Sequence, residues 1–151
     1  MQILVVDDDA LITLMVSESL KLQGFEVAVA DNGAAALAAV RQRRPALIVL
    51  DADMPVLDGF AVLKTLKGDA ALNHVPVIML TARRNARDVV LARSLGASDY
   101  LAKPFDILDL VQRVKTWAGK RPGGAAGPTR AAEASLVFGD ESPDAAQWFV
   151  E

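Results

Sequence analysis

The chain has no cysteine and one histidine, and no apolar run approaches the roughly 18 residues that cross a bilayer. Without cysteine there are no disulfides, no thiol nucleophiles and no zinc–thiolate sites. His74 alone would have to serve a Ser-His-Asp constellation or a histidine metal site. It lies between Gly68 and Pro76 in a stretch with no matching pattern, so it reads as a solvated loop residue. Basic charge is also scarce: the formal net charge is −3, so direct contact of this chain with nucleic acid is not expected. Met1 to Val6 followed by three aspartates is too short and too acidic for a signal peptide. The expectation is a cytoplasmic protein with no membrane partner. Its 151 residues suffice for one full core and not for two ordinary domains.

What is present is organised around residues 46–55, Ala-Leu-Ile-Val-Leu-Asp-Ala-Asp-Met-Pro. Apolar residues rich in β-branched types run straight into Asp51, as in a strand buried on both faces that ends at a site. Pro55 and the Asp58-Gly59 pair then turn the chain, leaving Asp51 at the carboxyl end of the strand. In open α/β sheets ligands bind at that edge. From the residues alone Asp51 is open to four readings: metal ligand, base, nucleophile, or cap of the next segment.

The rest of the chain alternates. Gln2 to Val6 reads as a strand ending in Asp7, Asp8 and Asp9, with Asp9 as N-cap of a helix running to about Gln23 and stopped by Gly24. Phe25–Ala30 reads as a strand and Asp31-Asn32-Gly33 as a turn. An Ala-rich helix then runs to Arg44, where Pro45 stops it. After the Asp51 strand come a helix from Gly59 to Lys67 and a strand from Val75 to Leu80 that ends at Thr81-Ala82. Asn85–Leu95 reads as a helix closed by Gly96, and Ser98–Ala102 as a short strand leading to Lys103-Pro104-Phe105. Asp106 caps a last helix whose apolar positions, Ile107 through Trp117, keep helical spacing. Five β-α units of this kind predict a single doubly wound five-stranded parallel sheet with helices on both faces.

Residues 1–118 make one domain on this reading. Residues 119–128, rich in Gly and Pro, read as a linker, and 129–151 as a C-terminal tail. Ser142-Pro143 offers the tail a helix start from about 143, unless it is the beginning of a further segment.

Parallel connectivity brings Asp7, Asp8, Asp51, Thr81 and Lys103 to one edge of the sheet. Three carboxylates in one pocket repel unless a cation intervenes, and an all-oxygen ligand set selects a hard ion, Mg²⁺ first. With Lys103 as a second positive charge and the Thr81 hydroxyl as a donor, this is equipment for phosphoryl transfer to a carboxylate.

On these residues the chain resembles the receiver domain of bacterial two-component response regulators. The resemblance spans residues 1–118 and rests on Val5-Val6-Asp7-Asp8, Leu50-Asp51-x-x-Met54-Pro55-x-x-Asp58-Gly59, Thr81-Ala82, and Asp99-Tyr100-x-x-Lys103-Pro104-Phe105. It implies a flavodoxin-like sheet of order 2-1-3-4-5, and it makes Asp51 the acceptor of a phosphoryl group from a histidine kinase or a histidine phosphotransfer protein. It further implies that Asp8 binds Mg²⁺ directly, Asp7 mostly through water, and that the backbone carbonyl of Asp53 completes the metal site. Lys103 would sit over the pocket on a cis Lys103–Pro104 peptide. Thr81 and Tyr100 would form the switch, the threonine moving toward the phosphoryl group and the tyrosine ring turning inward. The face made of the fourth helix, last strand and last helix would be read by an output domain or protein, or would pair in a homodimer. Such a domain is not an enzyme in the usual sense, since it catalyses only its own phosphorylation and dephosphorylation.

Asp53, Ala82 and Arg83 form the rim of the pocket on this reading. An Asp53–Arg83 pair across the opening would shield an aspartyl phosphate from water, whereas Asp53 orienting that water would speed its loss. Two rivals have other bases. A pseudo-receiver would use the same fold to bind a partner without phosphate. Asp51-Ala52-Asp53 also resembles the start of a haloacid-dehalogenase-like phosphatase, but there the later acidic pair follows the nucleophile, and here Asp7-Asp8 precedes it.

Overall fold

The computed structural model describes residues 1–82 and 86–119. The elements are β1 (Gln2–Val6), α1 (Ala10–Leu22), β2 (Glu26–Ala30), α2 (Gly33–Gln42), β3 (Leu47–Asp51), α3 (Gly59–Lys67), β4 (Val77–Thr81), α4 (Ala86–Ser94), β5 (Asp99–Ala102) and α5 (Ile107–Ala118). All strands are parallel, in the order β2-β1-β3-β4-β5. The expected linker beyond Gly119, the tail with its helix start near 143, and Arg83 lie outside the described residues.

Strand alternation builds two cores. Ile3, Val5, Leu47, Val49, Ile78, Leu80 and Leu101 pack against Val16 and Leu20 of α1 and Leu110, Val114 and Trp117 of α5. The intervening residues Leu4, Val6, Ile48, Leu50, Val77, Met79 and Tyr100 face Ala36 and Val40 of α2, Leu63 and Leu66 of α3, and Val89 and Ala92 of α4. Each aliphatic side chain so buried contributes about 1.5–3 kcal/mol, so both faces of the sheet are fixed independently.

Helix starts follow their caps. Asp9 Oδ1 accepts from the Leu11 and Ile12 N–H groups, Asn32 Oδ1 from Ala35 N–H, and Asp106 Oδ1 from Leu108 N–H. Asp58, which the sequence offered only as a turn residue, caps α3 by accepting from Ala61 N–H. The cap of the segment after β3 is therefore Asp58 and not Asp51.

Several ends differ from expectation. β4 begins at Val77, because Val75 N–H closes a turn on Leu72 O and Pro76 has no N–H to give the ladder. Ser98 falls outside β5 although its N–H donates to Val77 O and its Oγ accepts from Val77 N–H. β2 starts one residue later than Phe25, α1 ends at Leu22, and α2 ends at Gln42 with Arg43 already extended.

Candidate functional site

Register assembles the site. Val6 pairs with Leu50, so Asp7 follows directly beside Asp51. Asp51 pairs with Leu80, which places Thr81 one step further along the neighbouring strand, and Thr81 pairs with Ala102, after which Lys103 follows. The strand order reverses between β1 and β3, where sheets of this kind take ligands, and the acids stand at that point.

Carboxylate oxygens of Asp7, Asp8 and Asp51 all lie within 4.8 Å of one another. Asp7 and Asp51 are buried, whereas Asp8 is exposed. Lys103 Nζ donates to Asp7 Oδ2 at 2.9 Å and lies 3.4 Å from Asp51 Oδ1. Asp7 Oδ1 accepts from Asp9 N–H at 2.9 Å, and Asp51 Oδ1 from Asp53 N–H at 3.0 Å. Among the described residues no donor stands on Asp51 Oδ2. Among the described residues one ammonium thus serves a cluster of three carboxylates.

The electrostatics follow. Burial pushes the Asp51 carboxyl up from 3.8 to about 6, with the Asp7 charge acting in the same direction against the Asp53 N–H and Lys103. Burial alone would pull Lys103 down, but its hydrogen bond to Asp7 and the charges of Asp51 and Asp7 outweigh it and hold the ammonium above its ordinary range.

Thr81 is fully buried, and its Oγ1 donates to Asp53 Oδ2 at 2.9 Å. Tyr100 is 1% exposed, its ring already inward among the residues of the α2–α3–α4 face. The Lys103–Pro104 peptide is cis, and Ala82 is exposed at the rim. Gly59 is required by proximity: a Cβ there would collide with the Asp51 carbonyl and Ala52 Cα, so α3 starts pressed against the end of β3. Val56, between Asp53 and α3, holds φ 71° and is fully exposed, an uncommon conformation for a β-branched residue. Sequence reasoning put Thr81 and Asp53 in one pocket without joining them. The only signal was their position at the ends of neighbouring strands. It missed a second buried polar cluster altogether. There Asp99 accepts from Tyr100 N–H, from an Arg113 guanidinium N–H at 2.6 Å and from Trp117 Nε1–H at 3.1 Å.

An acidic pocket at the switch point of this sheet, with a lysine over it, belongs to a phosphoacceptor signalling domain. The chain is a member of the response regulator receiver domain family, whose description matches residues 3–115. Domains of this family signal in two-component systems and are not classical enzymes.

Among its relatives, the transcriptional regulatory protein PrrA of Mycobacterium tuberculosis is 47% identical over 120 residues, 80% of this chain and 51% of that protein. The DNA-binding response regulator MtrA of the same species is 45% identical over 114 residues, 76% of this chain and 49% of its own. The structure of the Mn²⁺-bound response regulator Rcp1 superposes with a TM-score of 0.71 at 31% identity, over 80% of this chain and 96% of that one. This chain therefore spans about half the length of the curated relatives it matches. The expectation of no direct nucleic-acid contact is not supported, since MtrA is named as DNA-binding. A net charge read over these 151 residues does not speak for the half of the relatives that lies beyond the match. Among the described residues no helix is long and apolar enough to cross a membrane.

Proposed function

We propose that Asp51 accepts a phosphoryl group from the phosphohistidine of a histidine kinase or phosphotransfer protein, and that the α4-β5-α5 face reports the change to an output domain or protein. The observation that carries this reading is the cluster of Asp7, Asp8 and Asp51 oxygens within 4.8 Å, with Lys103 on both buried acids. The donor set is all oxygen and fits a hard divalent ion. Asp8, exposed, is free to bind it directly. Both oxygens of Asp7 already carry a donor, which supports a role through water. Asp51 and the Asp53 carbonyl complete the ligand set of the proposal. Mg²⁺, when bound, offsets the charge of the acids and of the incoming phosphoryl oxygens.

Asp51 Oδ1 is held by the Asp53 N–H and Lys103, which leaves Oδ2 as the nucleophile. Oδ2 attacks phosphorus, the O–P bond forms, and the P–N bond breaks with its electron pair returning to the imidazole. Lys103 then follows the new negative charge. Thr81 turns its hydroxyl to a phosphoryl oxygen, and Tyr100, already inward, fills behind it. In this proposal the pocket rim is formed by Asp53, Ala82 and, by its place in the sequence, Arg83. Catalysis by this chain is confined to gaining and losing its own phosphoryl group, in the cytoplasm, and the same output face is where a second copy would pair.

With Mg²⁺ and acetyl phosphate, intact-mass spectrometry is expected to show one phosphoryl adduct on the wild type and none on Asp51→Asn. An adduct on Asp51→Asn, or none on the wild type under donor excess, overturns the assignment. The latter outcome is the one expected of a pseudo-receiver.

A further inference from the structure

The hydrogen bond from Thr81 Oγ1 to Asp53 Oδ2 joins β4 to the loop after β3, across 28 residues of sequence, so no local turn produces it. The same Asp53 donates its main-chain N–H to Asp51 Oδ1 at 3.0 Å. One residue therefore touches both the acceptor carboxylate and the threonine hydroxyl. A hydroxyl has one proton to donate. While Thr81 gives it to Asp53, that proton is not available to an oxygen on Asp51. The acceptor is a carboxylate, which makes the bond about twice as strong as one to a neutral oxygen.

We infer that the Asp53 side chain is a latch on the Thr81 hydroxyl, withholding it from Asp51 until a phosphoryl group displaces it. The inference rests on Asp51 being the phosphoacceptor. Asp53 acts through Thr81 and is a positioning residue. No proton is transferred in the exchange: the Thr81 O–H leaves one oxygen acceptor for another, and the released carboxylate is left facing the phosphoryl oxygens. The aspartate in this position thus sets how readily the domain switches. Replacing its side chain leaves intact the main-chain N–H and carbonyl that the site uses.

Calorimetric binding of the phosphoryl mimic formed from beryllium and fluoride, in excess Mg²⁺, tests the latch on the full chain. Asp53→Ala is expected to bind about five- to tenfold tighter than wild type, and Asp53→Asn, which keeps a neutral acceptor, about half as far in free energy. In a Thr81→Val background, isosteric and without the hydroxyl, Asp53→Ala is expected to change affinity by less than about twofold. Equal or weaker binding by Asp53→Ala overturns the latch. So does an undiminished gain in the Thr81→Val background, since the carboxylate would then act by its charge alone. A second measurement needs neither metal nor mimic. The side-chain scalar couplings and methyl shift of Thr81 in metal-free protein are expected to change on Asp53→Ala, and unchanged values refute the bond. Absence of any mimic binding by the wild type refutes the phosphoacceptor reading, while the metal-free spectra still decide the bond itself.

Discussion

Asp51 and Asp99 are both buried carboxylates on strands of one sheet, and burial pushes both upward from the usual carboxylate range. Their surroundings differ. Asp99 has a guanidinium, an indole N–H and a backbone N–H on its two oxygens. Asp51 shares a single ammonium with Asp7, beside the exposed Asp8, and one of its oxygens has no donor among the described residues. The Asp99 cluster is satisfied and ties β5 to α5. Among the described residues the Asp51 cluster has one cation, Lys103, and is open on one side. What separates the two carboxylates here is the supply of donors together with the open side at Asp51.

The comparison breaks most readily at Arg113, whose side chain is 10% exposed. Removing one partner of a buried ion pair costs about 3–5 kcal/mol, and Arg113→Ala is expected to lose that much by urea denaturation. A loss under about 1 kcal/mol would place Asp99 among ordinary surface pairs. At the other cluster the opposite operation, adding charge, should stabilise. Mg²⁺ at about 100 times its dissociation constant is expected to add roughly 2.7 kcal/mol, read as a rise in melting temperature. Asp8→Ala is expected to abolish that rise and leave the metal-free protein at least as stable. A full rise in the variant would put the ion elsewhere.

A third cation sharpens the contrast. Arg83, two residues past Thr81 in sequence, is expected to shield the phosphoryl group from water. Arg83→Ala should shorten the phosphoryl lifetime several-fold, about 1 kcal/mol of barrier, with stability nearly unchanged. Decay as slow as wild type would rule out shielding. The smallest effect is on pH. Between 3.8 and about 6 the unfolded chain gives up the Asp51 proton before the folded one does. The folded state then binds more protons, so metal-free stability falls as pH rises through that window. With solvent screening at the open side, the fall should be under about 1 kcal/mol. Asp51→Asn is expected to lack it, and an identical pH profile in the variant would assign the fall to another group.

The order of the five β-α units and the meeting of Asp7, Asp8, Asp51, Thr81 and Lys103 were legible because both follow from local patterns. Alternation gives a parallel sheet, and a parallel sheet sends every strand end to one edge. The strand order came from family resemblance, since alternation alone does not set it. What was not legible depends on side chains reaching across elements. Trp117 read as one more apolar position of α5, and nothing in its spacing shows that its indole N–H reaches Asp99 18 residues away. Asp53 read as a rim charge facing Arg83, and nothing in its spacing shows that its carboxylate also accepts from the Thr81 hydroxyl. Pro76 shows why element ends slip: an apolar run sets where a strand can lie, and the first usable N–H sets where it begins.

α5 ends at Ala118, and Gly119 lies with Met1, Pro45 and Pro76 around a cavity of about 530 Å³. Those residues flank the amino ends of β1, β3 and β4, so Gly119 stands at the rim opposite the acids. A five-residue strand is about 16 Å long, which sets the scale of the separation between the Asp51 carboxylate and Gly119. The acids and the last described residue are thus on opposite floors of one building, with the strands as its walls.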